Sequence, residues 1–116
     1  MTDDRTTVAD LRRMMADFVR QRDCEQFHDP KNLSASIAIE AAELMEHFQW
    51  LRSDELEALR RDPSAVDAIG EELADVVAFV LSFANAMNID IASTLARKME
   101  KNARKYPVER FHGRFK

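Results

Sequence analysis

Glycine and proline are scarce in this 116-residue chain, which contains only two glycines and three prolines. In an average protein the two residues together make up about 12% of the sequence. Phosphate-binding loops, dinucleotide-binding turns and many-turned β-sandwiches depend on glycines that this chain lacks. Neither a GxGxxG nor a GxxxxGK[ST] pattern is present. Any nucleotide must therefore be held by other means.

Cysteines and long apolar segments are also scarce. The single Cys24 cannot form an internal disulfide, and no Cys/His spacing typical of a metal site occurs. The longest charge-free run covers residues 76–89, which is shorter than the ~20 residues needed to span a bilayer. The first residues lack the basic and apolar regions of a signal peptide. We therefore expect a cytoplasmic protein with no membrane partner.

Charge is distributed unevenly along the chain. Residues 97–116 carry eight basic and two acidic side chains, a net charge of +6 that leaves −10 on the remainder. This pattern is compatible with a cation site and an anion site in one molecule, or with a solvated acidic surface and a basic tail. The overall net charge of −4 argues against nucleic acid as the main partner.

Apolar periodicity and capping residues predict an all-α protein without strands. The predicted helices run from about Val8 to Gln26, near Asn32 to Trp50 or Leu51, Ser53 to Arg61, Pro63 to about Met87, and Asp90 to about Tyr106. The Asp29-Pro30 pair is expected to break the chain between the first two helices. We predict a single domain over residues 1–116, a four- to five-helix bundle with a helical core at about 7–106 and an irregular tail at 107–116.

The third long helix is apolar on nearly every side, because residues 76–83 are almost all valine, leucine, phenylalanine or alanine. A helix of this kind is normally buried all round, and a 116-residue chain supplies too few other helices to surround it. We therefore expect a homo-oligomer in which a second subunit covers this helix.

Two pairs of acidic residues lie beside apolar positions of the predicted helices. Glu40 and Glu43, and likewise Glu72 and Asp75, are spaced i, i+3, so each pair shares one helix face. No lysine or arginine occurs at residues 33–50 or 64–90, and charges beside a core are costly unless they are paired. A hard divalent cation such as Mg²⁺ or Mn²⁺ would neutralise them. A basic residue from elsewhere in the fold is the alternative.

Basic residues recur on one face of the last predicted helix. Lys98, Asn102 and Lys105 are spaced i, i+4, i+7. Such a face can bind phosphates through charge and hydrogen bonds, although solvated lysines are the commoner use of this pattern. Together with the acidic pairs, the face indicates a site for Mg²⁺ and a polyphosphate.

The sequence resembles a known family at these positions. Glu40-Ala-Ala-Glu43 followed by Glu72-Leu-Ala-Asp75 is similar to the ExxE…ExxD motif of the all-α nucleoside triphosphate pyrophosphohydrolases. The blocks RDCEQFHDPKN (22–32), EHFQW (46–50) and KMEKNARKYP (98–107) resemble the MazG-like branch that includes dCTP pyrophosphatases. The resemblance extends over about residues 8–110.

This resemblance implies an enzyme, with Mg²⁺-dependent hydrolysis of a (deoxy)nucleoside triphosphate, dCTP first, to the monophosphate and pyrophosphate. It implies four metal ligands: Glu40, Glu43, Glu72 and Asp75. Of these, Glu40 or Glu43 is the candidate to accept a proton from water. The implied substrate contacts are Phe27, His28, Trp50 and Phe79 around the base and Lys98, Asn102, Lys105 and Tyr106 near the phosphates. The family also implies a homodimer or homotetramer with sites at subunit junctions.

Three positions depart from the family pattern. Cys24 stands where the family has a tryptophan, Phe79 where relatives have a tyrosine, and Met15 where some relatives have a histidine. All three concern the base pocket, so the resemblance implies the reaction class more firmly than the base. The alternatives are the same fold acting on dUTP or phosphoribosyl-ATP, and a non-catalytic helical dimerisation module. Without the resemblance, Trp50 is interpreted as a core residue at a helix end.

Overall fold

The computed structural model describes residues 1–111 and Gly113. This part of the chain forms six α-helices, two 3₁₀ turns and no β-strand, which confirms the all-α prediction. The helices are α1 (Val8–Gln21), α2 (Pro30–Glu46), α3 (Leu56–Arg60), α4 (Pro63–Met87), α5 (Ile91–Lys105) and α6 (Val108–Phe111). The 3₁₀ turns cover Glu25–Phe27 and Ser53–Glu55.

Helix α1 starts as predicted but ends at Gln21, before the predicted end at Gln26. At its start the Thr7 side chain accepts from the Asp10 N–H, and the Asp10 carboxylate accepts from the Thr7 N–H, which forms a capping box. The helix stops early because Asp23 adopts a left-handed conformation with φ of 50°. Aspartate tolerates this conformation better than most residues do.

Helix α2 begins at Pro30, earlier than predicted, because Asp29-Pro30 starts this helix. The Asp29 carboxylate accepts from the Asn32 N–H at 2.8 Å, and Pro30 occupies the first turn, where no N–H is needed. Another Asp-Pro pair, Asp62-Pro63, starts α4 in the same way. Helix α2 ends at Glu46, so the predicted helical end at Trp50 is also wrong.

Helices α4 and α5 have nearly the predicted bounds. Asn88 ends α4 in a left-handed conformation, and the Asp90 carboxylate caps α5 by accepting from the Ser93 N–H. After Pro107, where an irregular tail is predicted, the chain forms the short helix α6. His112 and residues 114–116 of that tail lie outside the described residues.

No single helix in the described part of the chain is both long and apolar enough to cross a membrane. Helices α4 and α5 meet such a requirement only as a pair, and that pair is bent by 101°.

Helix α4 is the centre of the bundle, with α1, α2 and α3 packed against it. Helices α2 and α4 run antiparallel: Glu43, late in α2, meets Glu72 in the first half of α4, whereas His28, just before α2, shares a cavity with Ser82 in the second half. The buried apolar core among the described residues is small and consists of Val19, Leu33, Leu81 and Ala84.

The packed chain leaves much of its surface uncovered. Its accessible surface is 9405 Å², against roughly 6,500 Å² for a compact protein of this mass. Its radius of gyration is 17.3 Å, against about 13 Å for a compact chain of this length. The uncovered surface includes apolar side chains of α4, of which Leu73 is 51% exposed. The other helices of the chain therefore cover only one side of α4.

Candidate active site

Three glutamates converge between α2 and α4. One carboxylate oxygen from each of Glu40, Glu43 and Glu72 lies within 4.8 Å of the other two. The i, i+3 spacing places Glu40 and Glu43 on one face of α2, and the antiparallel α4 brings Glu72 opposite them. We call these three residues the glutamate cluster. They are three of the four metal ligands predicted from the sequence.

Two carboxylate oxygens of the glutamate cluster lack a protein partner. The Oε2 atoms of Glu40 and Glu72 are buried and make no hydrogen bond. Within the described residues, no lysine, arginine or histidine forms a salt bridge with any of the three glutamates. Buried, unpaired carboxylates are strongly unfavourable. A set of closely spaced carboxylate ligands fits a hard divalent cation.

The crowding of negative charge raises the pKa of two of these glutamates. The adjacent Glu43 carboxylate has the largest effect on the pKa of Glu40 and raises it, and burial and the negative charges of Asp75 and Glu72 act in the same direction. Burial, followed by the charge of Glu43, raises the pKa of Glu72, and His47 acts in the opposite direction. Both groups therefore bind protons more readily than an isolated glutamate does.

Asp75, the fourth predicted ligand, lies near the glutamate cluster without being part of it. Its side chain is exposed, and its charge raises the pKa of two cluster members. Its role as a ligand stays a prediction. An open cavity of about 510 Å³ adjoins the cluster and is lined by Glu43, Glu46, His47 and Glu72. This space is available to the phosphates of a ligand beside a bound cation.

The residues predicted around the base are spread along the chain. His28 precedes α2 and Trp50 follows it, so the 17 residues of α2, a helix about 25 Å long, lie between them. Trp50 is 85% exposed and Phe27 is 63% exposed. Phe79 is half-buried on α4, seven residues after Glu72. The roles of these residues as base contacts stay predictions.

The predicted phosphate contacts lie on a helix that leaves the bundle. Lys98, Lys105 and Tyr106 are exposed, whereas Asn102 is half-buried. The Lys105 ammonium lies 5.4 Å from the centre of the Tyr106 ring, within cation–π range. Helix α4 ends about 22 Å along its axis from Glu72, and α5 departs at 101°. In the part of the chain that the structure describes, no other helix packs extensively against α5, and the roles of these residues as phosphate contacts stay predictions.

A second cavity is lined by two polar residues that the sequence did not indicate, Ser82 and Asn85. It has a volume of about 350 Å³, and its lining includes Met15, His28, Ser82 and Asn85. Ser82 is 5% exposed, and its hydroxyl has no hydrogen-bond partner. In the sequence, Ser82 stands out only as a polar residue inside the charge-free run 76–89. The sequence alone does not tell whether its hydroxyl faces a cavity or bonds to its own helix.

The chain is similar to known pyrophosphatases over most of its length. It is 36% identical over 107 residues to dCTP pyrophosphatase 1 from Bos taurus and 38% identical over 102 residues to dCTP pyrophosphatase 1 from Homo sapiens. These alignments cover 92% and 88% of this chain but 63% and 60% of the two relatives. The chain therefore spans about three-fifths of the length of these curated relatives.

A solved protein structure is also similar to this chain. A pyrophosphatase from Archaeoglobus fulgidus, known from a crystal structure, is similar with a TM-score of 0.78 and 38% sequence identity. The match covers 92% of this chain and 98% of that protein. The sequence model of the MazG-like family matches residues 35–116, which is more than half of the chain. The resemblance drawn from the sequence motifs is confirmed, and this chain belongs to the MazG-like family.

Proposed function

We propose that this chain is a nucleoside triphosphate pyrophosphohydrolase that uses Mg²⁺ to convert a (deoxy)nucleoside triphosphate into the monophosphate and pyrophosphate. The proposal rests on the glutamate cluster, whose three carboxylates lie within 4.8 Å and include two buried oxygens without partners. The names of the similar proteins, dCTP pyrophosphatase 1 and a pyrophosphatase, support this reaction. They make dCTP the first substrate to test.

The glutamate cluster is suited to hold a divalent cation at the triphosphate. A cation bound by Glu40, Glu43 and Glu72 would neutralise charge on the phosphate oxygens and lower the pKa of an adjacent water. All three ligands are carboxylates, which favours Mg²⁺, and Mn²⁺ shares this preference. The charge of Asp75 acts on the same cluster, so we propose Asp75 as the fourth ligand.

Glu40 and Glu43 are the proposed acceptors of the proton that the attacking water loses. Both carboxylates lie beside the proposed cation, and a general base must lie within hydrogen-bond reach of the water that it deprotonates. The water oxygen bonds to the phosphorus atom that stays with the monophosphate. At the same time, the bond from that phosphorus to the pyrophosphate oxygen breaks. Pyrophosphate leaves with the electron pair of the broken bond.

We also propose that a homodimer or homotetramer is the active form. The accessible surface exceeds that of a compact chain by about 2,900 Å², and a standard protein interface buries only about 1,600 Å² in total. Helix α5 exposes Leu95 and Met99 on its apolar side. Among the described residues, no other helix packs extensively against α5. An apolar helix face of this kind is suited to dock on a second subunit.

Docking of α5 on a neighbour would complete the site. It would supply Lys98, Asn102, Lys105 and Tyr106 to the triphosphate of another subunit, where the lysines can stabilise developing negative charge. Phe27 and Trp50, which a single chain leaves in solvent, are then proposed base contacts across the subunit junction. His28 and Phe79 remain proposed base contacts from the chain's own side.

The decisive experiment measures pyrophosphate and monophosphate released from a panel of substrates. The panel contains the common (d)NTPs, with dCTP and dUTP among them, and phosphoribosyl-ATP, each with Mg²⁺, with Mn²⁺ and with EDTA. We expect equal amounts of the two products, strongest activity toward a pyrimidine nucleotide, and no activity in EDTA. Glu72→Gln is expected to reduce activity at least about 100-fold, because it removes a metal ligand.

Glu71→Gln is the matched control for this variant. Glu71 neighbours Glu72 in sequence but is exposed and points about 100° away around α4, so its replacement should leave activity near that of the wild type. Wild-type protein that releases no pyrophosphate from any substrate would refute the proposal. If Mg²⁺ and nucleotides then also failed to raise the melting temperature, a non-catalytic helical dimerisation module would be the better interpretation.

A further inference from the structure

The cavity between α1 and the second half of α4 has the properties of a ligand site. Its volume of about 350 Å³ lies within the range of pockets that bind small molecules. Helix α1 contributes the apolar side chains of Met15 and Val19, and α4 contributes Ala86. The polar and charged residues of the lining are Arg20, Glu25, His28, Ser82 and Asn85. We call this space the α1–α4 cavity.

Two buried polar atoms in the lining of the α1–α4 cavity have no hydrogen-bond partner. They are the Ser82 hydroxyl oxygen and His28 Nδ1. A serine within a helix commonly bonds a backbone carbonyl one turn earlier, but the Ser82 hydroxyl makes no such bond, although the residue is only 5% exposed. Buried polar groups in native proteins are nearly always paired. Both residues line the same cavity, so a ligand bound there is placed to supply the missing partners.

Asn85, which also lines the cavity, is already committed to the fold. Its Oδ1 accepts from Arg12 Nε at 2.9 Å, and its Nδ2 donates to the Arg12 carbonyl at 3.0 Å. Arg20 donates to Asp17, and both Arg20 and Glu25 are exposed to solvent. Ser82 and His28 are therefore the residues of the lining that have a buried polar atom without a partner.

The α1–α4 cavity and the glutamate cluster lie along the same helix. Ser82 follows Asp75 by seven residues, which corresponds to two turns, about 10 Å along α4, and only about 20° around it. A molecule whose phosphates are held by a cation at the carboxylates can thus extend along α4 and place its other end in the cavity. A nucleobase suits such a place, since it has apolar faces and a polar edge.

We propose that Ser82 is a specificity-determining residue whose hydroxyl bonds the polar edge of the nucleobase beside His28. This inference rests on the proposed function and deepens it. A hydroxyl both donates and accepts hydrogen bonds, so Ser82 discriminates by penalising any base that presents no polar atom opposite it. Discrimination of this kind is strong because the mismatched base leaves a buried group unpaired.

The test compares Ser82→Ala with wild-type protein in two assays. In the first, the metal-free and nucleotide-free variant should melt at the same temperature as the wild type or a higher one, because it removes an unpartnered buried hydroxyl. In the second, kcat/KM for the best nucleotide should fall about tenfold, and the ratio between the best and the poorest base should shrink. Ser82→Thr, which keeps the hydroxyl, should retain the ratio.

Ser34→Ala is the matched control, because its hydroxyl is exposed and bonds the Lys31 carbonyl of its own helix. It should change neither stability nor the ratio. A Ser82→Ala variant that keeps the wild-type ratio within twofold would overturn the inference, and so would one that melts at a lower temperature with unchanged selectivity.

A binding measurement separates this inference from the proposed reaction. Deoxycytidine monophosphate titrated calorimetrically into metal-free protein should bind Ser82→Ala about tenfold more weakly than wild type. This result is expected even if no triphosphate is hydrolysed, in which case only the proposed function fails. Equal affinities for the two proteins would overturn the role of Ser82, whatever the hydrolysis assay shows.

Discussion

Arg12 and Asn85 bond each other in both directions across 73 residues of sequence. Arg12 Nε donates to Asn85 Oδ1 at 2.9 Å, and Asn85 Nδ2 donates back to the Arg12 carbonyl at 3.0 Å. The guanidinium also donates to the carbonyls of Ala84 and Ile89, at 3.2 and 2.7 Å. Ala84 lies in the last turn of α4, and Ile89 follows Asn88, the residue that ends the helix. One arginine therefore ties α1 to the end of α4 and holds Asn85, which lines the α1–α4 cavity.

Loss of this arginine should destabilise the fold. Arg12→Met keeps much of the apolar stem but removes the donor to Asn85 Oδ1 and to the Ile89 carbonyl, so we expect the free energy of unfolding to fall by on the order of 2–3 kcal/mol. Urea unfolding at fixed protein concentration measures this change. Arg13→Met is the control: its exposed salt bridge with Asp10 should contribute less than about 1 kcal/mol. Equal losses for the two variants would contradict the role of Arg12.

The glutamate cluster should make the metal-free protein less stable at neutral pH. Folding raises the pKa of Glu40 and Glu72, so the folded chain binds more protons than the unfolded chain between the ordinary glutamate value, about 4.3, and the raised value. The free energy of unfolding therefore decreases as the pH rises through this interval. Glu72→Gln should remove part of this decrease and stabilise the metal-free protein at neutral pH.

Urea unfolding in EDTA at several pH values tests the charge effect, with Glu71→Gln as control. The stability difference between Glu72→Gln and wild type should grow as the pH rises through the interval and then level off. A difference that is constant with pH would contradict it. Added Mg²⁺ should raise the melting temperature of the wild type, since it binds only the folded state, and should have little effect on Glu72→Gln.

Gly70 should mark a close contact between subunits. It lies in α4 on an apolar groove shared with α1, whose lining includes Leu11, Met14, Leu73 and Val77. A Cβ atom at Gly70 would meet no atom within 4 Å, although glycine costs a helix interior about 1 kcal/mol relative to alanine. We expect Gly70→Gln to dissociate the oligomer because its side chain fills the groove. Sedimentation velocity measures the shift in mass.

Ala68→Gln is the matched control for the groove. Ala68 is exposed on the same helix, about 160° around the axis from Gly70, so the added side chain should leave the oligomer intact. Gly70→Ala should also remain oligomeric or weaken only slightly. If Gly70→Gln assembles as the wild type does, another surface holds the subunits together.

Activity should be restored when two inactive variants are mixed. If α5 serves the glutamate cluster of another subunit, a Lys98→Ala/Lys105→Ala variant and Glu72→Gln fail in different parts of the site. Mixed dimers then contain one intact site, and after full subunit exchange about a quarter of all sites should be active. Pyrophosphate release from the re-equilibrated mixture measures this. A mixture no more active than the two separate variants would show that the lysines serve their own chain.

Features that depend on neighbouring residues could be predicted from the sequence. The bounds of α4 follow from Asp62-Pro63 at its start and from the polar residues after Met87, because capping involves side chains only a few positions away. The pairing of Glu40 with Glu43 likewise follows from helical periodicity. The beginning of α2 was misassigned because an Asp-Pro pair both ends one segment and starts the next, and local sequence does not distinguish these roles.

The sequence by itself determined the helices, the acidic pairs and the family of this protein, since all three reside in residue types at short, regular spacings. Only the tertiary structure decided that Glu72 faces Glu43 and that Ser82 shares a cavity with His28. These contacts depend on which faces of the helices pack against each other. That choice is made by the whole apolar surface of each helix, which no short motif contains.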